Sequence, residues 1–125
     1  MAKVKRPRVP RTRNASTLTE AGYWGMVRSG LRRTFRYWKP ATKCKAEAKR
    51  PYKGSNKRQK YEYQCAHCTE WFKDKEVQID HIIEVGSLKC GEDLKGFLER
   101  LTPEDGFQLL CKPCHQVKTN EARGL

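Results

Sequence analysis

The chain contains 125 residues, of which 37% are hydrophobic and 33% are charged, and it carries a formal net charge of +13. This composition excludes a large apolar core. It also excludes a transmembrane helix, since no segment approaches the roughly 18 apolar residues that a membrane span requires. A small protein that binds a polyanion, with no membrane partner, is therefore expected.

The positive charge lies in the first half of the chain. Residues 1–60 contain 19 Lys and Arg against two acids, whereas residues 61–125 contain 8 against 12. Residues 1–16 are predicted to form a disordered basic tail, because they are rich in charge and proline and have few apolar groups to pack. Neutralisation of nucleic-acid phosphates is the expected use of the basic half, with a merely solubilising tail as the alternative.

An amphipathic helix of about twenty residues is predicted to follow the tail. Thr17 and Glu20 have the spacing of a capping box, and Pro40 marks a break after the helix. The helical spacing of the aromatic residues favours packing over stacking on bases. The apolar stripe comprises Leu18, Trp24, Val27, Leu31, Phe35 and Trp38. The predicted DNA contacts on the polar face are Arg28, Arg32, Arg33 and Arg36.

A second, shorter helix is predicted over residues 41–50, stopping before Pro51. Residues 53–60 are basic and contain a glycine, which predicts a linker. The further predicted nucleic-acid contacts are Lys57, Arg58 and Lys60. The predicted organisation is a disordered tail over residues 1–16, a basic helical DNA-binding extension and linker over residues 17–60, and a folded module over residues 61–125.

The module over residues 61–125 is predicted to be α+β with a ββα order. A leading strand is predicted over residues 61–64, and β-branched alternation predicts another over residues 77–83. A loop with a short helix around residues 93–101 leads to a return strand over residues 107–111. A terminal helix begins at Pro113 and runs through Arg123, because proline suits a first helical turn and Gly124 follows the last residue.

Two C-x-x-C pairs bracket the two strands of this module. The paired cysteines are Cys65, Cys68, Cys111 and Cys114. Four thiolates are the ligand set of a closed structural Zn²⁺ site, with redox-active pairs as the alternative. His67 is predicted to be a bystander in the first pair, although it could replace one thiolate, and Cys44 and Cys90 are predicted to be free thiols. With no apolar signal segment at the N-terminus, a reducing cytoplasmic compartment is expected.

Three further residues have the chemistry of a hydrolytic site. Asp80 and His81 lie at the end of the first strand of the pair, and His115 follows the second C-x-x-C. Phosphodiester hydrolysis needs a deprotonated water, and imidazole, with an unperturbed pKa near 6.5, suits proton abstraction at neutral pH. A carboxylate and an imidazole can also hold one hard divalent ion with positions left open for water and phosphate.

About half of the chain, residues 61–122, resembles the HNH endonucleases, whose ββα-metal core is often bracketed by two zinc-binding knuckles. The segments that carry the resemblance are Ile79-Asp80-His81-Ile82-Ile83, Phe107-Gln108-Leu109-Leu110 with Cys111-Lys112-Pro113-Cys114-His115, and Lys118-Thr119. The basic helices ahead of this module are similar to those of small phage-encoded HNH proteins. On that narrower resemblance, host cytoplasm and other phage DNA-processing proteins are the expected surroundings.

The resemblance implies a metal-dependent DNA endonuclease acting on double-stranded or branched DNA. In this scheme His81 is the general base, while Asp80 and His115 hold one catalytic ion, Mg²⁺ or Mn²⁺. Lys118 is predicted to be a phosphate contact or a surface lysine. The family's middle Asn, which is implied to brace the loop that carries the base, is replaced here by Gly106, so Asp105 or a backbone group of Gly106 is expected to substitute for it.

A zinc-ribbon protein that binds nucleic acid without catalysis is the alternative. The interval between the two cysteine pairs discriminates between the two functions. Cys68 and Cys111 are separated by 42 residues, whereas simple zinc ribbons close with roughly 15–20. The extra length holds Asp80 and His81, for which a ribbon has no need, and it favours the nuclease.

Overall fold

The computed structural model describes residues 7–125, and this part of the chain has an α+β fold. The strands are β1 Arg11–Arg13, β2 Leu18–Thr19, β3 Lys49–Pro51, β4 Tyr61–Gln64, β5 Trp71–Phe72, β6 Val77–His81 and β7 Phe107–Cys111. The helices are α1 Glu20–Thr34, α2 Lys39–Glu47, α3 Leu94–Leu101 and α4 Lys112–Ala122. Within residues 7–125, every helix is too short or too polar to cross a membrane.

Part of the predicted disordered tail forms a β-hairpin instead. Its residues 1–6 lie outside the described part of the chain, but β1 pairs antiparallel with β2 around a turn at residues 14–16. The Arg13 guanidinium donates to both carboxylate oxygens of Glu20, at 2.8 and 2.9 Å, and lies 4.1 Å from the centre of the Tyr23 ring. The hairpin is therefore stabilised by polar and cation–π contacts, which a count of apolar residues does not reveal.

The first predicted helix is α1 followed by a short 3₁₀ turn. Thr19, not Thr17, caps α1, because its Oγ1 accepts the N–H of Gly22 at 3.0 Å. A 3₁₀ turn, Phe35–Tyr37, follows α1, and the extended backbone of Trp38 then separates it from α2. Pro40 lies within the first turn of α2. Backbone N–H groups in this turn have no acceptor within the helix, so the N–H that proline lacks is not missed. The second helix thus begins and ends earlier than predicted.

The predicted linker over residues 53–60 is the loop of a β-hairpin. β3 pairs with β4 in the register Lys49 to Tyr63 and Pro51 to Tyr61, and the N–H of Tyr52 donates to the carbonyl of Lys60 at 2.9 Å. β4 also pairs with β5. Because this sheet takes β3 from before residue 60 and β4 and β5 from after it, the predicted boundary there does not separate two folded units.

The aromatic stripe of the basic extension packs into the core, as predicted. A buried cluster consists of Val85, Leu88, Phe97 and Leu101. The residues packed against it are Trp24, Val27, Leu31, Phe35 and Leu94. The indole N–H of Trp38 donates to the carbonyl of Pro103 at 2.7 Å. The extension and the C-terminal module therefore share one core.

The ββα order predicted for the C-terminal module is confirmed. β6 and β7 pair antiparallel, with Val77 opposite Cys111 and His81 opposite Phe107, and α4 begins directly after β7. The first strand of the pair ends at His81, two residues before its predicted end. Asp80 and His81 thus lie at the end of β6, where His115 and Lys118 of α4 approach them.

Candidate active site and metal centre

The four paired cysteines form one cluster. Cys65 follows β4, Cys111 ends β7 and Cys114 lies in the first turn of α4. All four sulfur atoms lie within 4.8 Å of one another, and the Sγ atoms of Cys68 and Cys111 are 3.9 Å apart. Sulfur atoms placed tetrahedrally about 2.3 Å from one Zn²⁺ would be about 3.8 Å apart. The donor set and its spacing therefore fit zinc.

The electrostatics of the cluster also favour a cation. Burial alone would raise the pKa of Cys65, but hydrogen bonds from the backbone of Cys111, Cys68 and His67 lower it to about 6. The pKa of Cys114 is instead raised to about 12, first by its contact with Cys111 and then by burial and the other two thiols. Each thiolate disfavours ionisation of its neighbours, so all four can ionise together only around a cation.

Asp80 and His115 converge from the hairpin and the terminal helix. Asp80 is 7% exposed, and its Oδ1 lies 3.5 Å from Nε2 of His115. This distance is long for a hydrogen bond. It suits two ligands of one ion, since ligand atoms about 2.1 Å from a shared ion lie roughly 3 to 3.5 Å apart. The pair fits a single divalent cation.

The two carboxylate oxygens of Asp80 have different surroundings. Oδ2 accepts from Nε2 of Gln108 at 2.9 Å and from Nζ of Lys118 at 2.5 Å, whereas Oδ1 faces His115. One oxygen is thus held by Gln108 and Lys118, and the other is directed at His115. Asp80 and Gln108 are opposite one another in the β6–β7 register, a signal that pairing the two predicted strands would have revealed.

The His81 ring is held from three sides. Its Nε2 lies 2.8 Å from the carbonyl of Leu101. Because a carbonyl only accepts, Nε2 is the nitrogen that carries the proton, and Nδ1 keeps a lone pair. The ring centroid lies 4.6 Å from that of Phe35 and 5.0 Å from that of Phe107. These contacts suit a group that must accept a proton in one fixed orientation.

The groove that contains these residues has a volume of about 650 Å³ and is lined by Asp80, His81 and His115 together with basic side chains. Arg28 and Arg32 of α1 line it, as does Arg123, which was not among the predicted contacts. Burial and, after it, the charge of Arg28 lower the pKa of Arg32. A guanidinium that is destabilised by burial and by a neighbouring positive charge is favourably placed for an anion.

The other predicted nucleic-acid contacts lie in two further places. Arg33 and Arg36 line an adjoining groove of about 430 Å³, which Arg32 shares with the groove just described. Arg58 and Lys60 line a separate groove of about 510 Å³ beside the β3–β4 hairpin, whose loop also carries Lys57. Lys118 differs from all of these, since its ammonium points into the candidate site.

Gly106 contacts the segment after His81 through its backbone. Its carbonyl accepts the N–H of Ile82 at 2.9 Å, and its own N–H donates to Oδ1 of Asp105 at 2.8 Å. Its φ of +114° is open to glycine and strained for other residues. The structure thus places both expected substitutes for the missing Asn in the turn beside the candidate base.

Among curated proteins, the chain is similar to one described as a probable HNH endonuclease, from Lactococcus phage SK1. The two are 39% identical over 64 residues, which is 51% of this chain and 62% of the relative. The match thus spans less than two thirds of the relative's length. No protein-family model matches the chain, and no solved structure matches it.

Proposed function

We propose that this protein is a metal-dependent HNH endonuclease that hydrolyses phosphodiester bonds in DNA. Its main support is the meeting of Asp80 and His115 at 3.5 Å beside a fixed His81, in a groove that Arg28 and Arg32 also line. The partial similarity to a probable HNH endonuclease favours the same activity.

In this proposal, His81 is the general base. Its Nδ1 takes a proton from the attacking water, while the Leu101 carbonyl holds the Nε2–H and stabilises the imidazolium that results. Phe35 and Phe107 hold the plane of the ring. Because these contacts already orient the base, positioning it adds little to the activation free energy.

Asp80 and His115 would hold one divalent ion, Mg²⁺ or Mn²⁺, through Oδ1 and Nε2. When bound, such an ion stabilises negative charge on the phosphate and the leaving oxygen. Arg28 and Arg32 bind the phosphate group next to these ligands, which brings the scissile bond to His81.

The remaining basic residues bind the DNA on either side of the cut. We assign this role to Arg33, Arg36, Lys57, Arg58 and Lys60. The four cysteines would hold a structural Zn²⁺, which would fix the start of α4 and with it His115. Because these thiols must remain reduced to hold the ion, we place the activity in the cytoplasm.

Plasmid nicking in Mg²⁺ or Mn²⁺, compared with EDTA, tests the proposal. His81→Ala should reduce cleavage about 10²- to 10⁴-fold, the usual cost of losing a general base, with DNA binding and zinc content unchanged. His115→Ala should be partly restored by high Mn²⁺, because it removes a ligand, whereas His81→Ala should not respond to metal. His67→Ala is the matched control, since it removes an exposed imidazole outside the groove.

A different outcome would support the zinc-ribbon alternative. In that case, wild-type protein would bind DNA but would not cut duplex, nicked or branched substrates in Mg²⁺, Mn²⁺, Ni²⁺ or Zn²⁺. Equal cleavage by wild type and His81→Ala would instead leave the nuclease in place and exclude His81 as its base.

A further inference from the structure

We propose that Lys118, which the sequence suggests as a phosphate contact, is instead the positioning residue of the candidate site, a role that rests on the nuclease function proposed above. Its ammonium joins the metal ligand Asp80 to the backbone that carries the base, and so fixes the two relative to each other.

The ammonium of Lys118 is surrounded by three oxygens. Its Nζ lies 2.5 Å from Oδ2 of Asp80, 2.6 Å from the carbonyl of His81 and 3.2 Å from the carbonyl of Ile82. An ammonium has three N–H donors, so each has an acceptor within the protein. The side chain is 28% exposed. A DNA phosphate would have to displace one of these bonds.

The position of Lys118 on α4 lets one helix contact both oxygens of the Asp80 carboxylate. His115 and Lys118 are three residues apart and therefore lie on the same face of the helix. His115 meets Oδ1 of Asp80, and Lys118 meets Oδ2. The helix thus supplies both the second metal ligand and the cation that orients the first.

The backbone beyond β6 needs such a donor. The ladder with β7 ends at His81 opposite Phe107, and the next bond runs from the N–H of Ile82 to Gly106. Two successive carbonyls, those of His81 and Ile82, then accept from Lys118. Without Lys118 the partly buried carbonyl of His81 would lose this partner, which is unfavourable.

Gly106 cannot fulfil this role with a side chain. A Cβ built at Gly106 would have no described atom within 4 Å, and its φ of +114° disfavours Asn. Lys118 therefore braces the loop that follows β6, and it does so from α4 instead of from the turn before β7. Residues that orient a metal ligand in this way typically change activity about 10- to 100-fold when they are removed.

Lys118→Met and Lys118→Arg test the proposal together. Met has a similar length but donates no hydrogen bond, so kcat for nicking should fall about 10- to 100-fold, with KM and the salt dependence of DNA binding unchanged. Lys118→Arg keeps the charge, but its planar fork does not match three oxygens around one point, so kcat should be only partly restored. Lys95→Met, which removes an exposed lysine of α3, is the control.

Histidine-selective ¹⁵N NMR supplies a readout that is independent of cleavage. The chain contains three histidines, so the ring signals are few. In Lys118→Met and Lys118→Arg the signals of His81 and His115 should change, while that of His67 should stay constant. Thermal unfolding and zinc content, measured on the same samples, show whether each variant is folded.

A phosphate contact would give the opposite pattern. Lys118→Met would raise KM and lower the log–log salt slope by about 0.9, Lys118→Arg would behave as wild type, and the ring signals would not move. That result would overturn the proposal. If Lys118→Met were unfolded, wild-type behaviour of Lys118→Arg with unchanged ring signals would overturn it alone. If wild type cuts no DNA but the ring signals of His81 and His115 still change, the nuclease function fails and the positioning role stands.

Discussion

Deletion of residues 1–38 is expected to destabilise the C-terminal module, not merely to weaken DNA binding. The buried cluster of Val85, Leu88, Phe97 and Leu101 is covered on one side by α1 and the turn that follows it. Full burial of a large apolar side chain contributes about 1.5–3 kcal/mol. Losing roughly half of the cover on these four residues therefore costs on the order of 3–6 kcal/mol.

The deletion also removes the bond from the Trp38 indole to the carbonyl of Pro103, which is worth about 1 kcal/mol. The whole stability of a small domain is about 5–15 kcal/mol, so the expected loss is a large fraction of the total. Urea unfolding followed by circular dichroism, with both proteins loaded with zinc, measures the difference directly. Deletion of residues 1–10 is the control, because it removes basic residues and keeps α1 and the turn that follows it.

A matched pair of substitutions on α1 makes the same test without truncation. Leu31→Ala removes a side chain that packs on the cluster, whereas Met26→Ala removes one that is 54% exposed. Leu31→Ala should cost about 2 kcal/mol or more, and Met26→Ala should have little effect. If the deletion variant that retains residues 39–125 unfolded at the same midpoint as the full chain, the shared core would be refuted.

Two further predictions concern the zinc cluster and the basic groove. Cys111→Ser should lose zinc and unfold the C-terminal half, because structural zinc supplies folding free energy of order 10 kcal/mol; elemental analysis that finds no zinc in folded, active wild type would contradict this. Arg28→Gln should weaken DNA binding and lower the log–log salt slope by about 0.9, as expected for one lost phosphate contact. A slope equal to that of wild type would show that Arg28 does not face the backbone of DNA.

The parts of the fold that were predictable from sequence have strong local signals. β7 and the start of α4 are marked by an apolar run that leads into C-x-x-C with Pro113 in the first helical turn, and both occur as predicted. The start of α1 was misplaced by two residues, because Thr17 and Thr19 are both chemically able to cap it. Choosing between them depends on the β1–β2 hairpin, which precedes the helix.

The parts that were not predictable depend on partners distant in sequence. β3, Lys49–Pro51, consists of two basic residues and a proline and has no apolar alternation. It is held by pairing with β4, while its Arg50 bonds Glu62 at 2.6 Å and lies 3.5 Å from the centre of the Trp71 ring. The place of Lys118 likewise depends on where β6 ends and on how α4 is rotated, and neither can be derived from single residues.

The β6–β7 pairing has a consequence for the kinetics of folding. It places residue 77 opposite residue 111, so the hairpin that forms the candidate site closes a long loop instead of a tight turn. Contacts of such high sequence separation must overcome loop-closure entropy before they return any stabilisation, and they form slowly. The cysteine pairs lie on either side of this loop, at residues 65–68 and 111–114. An ion captured by both pairs would shorten the search for the strand register, and the candidate site would assemble only after that step.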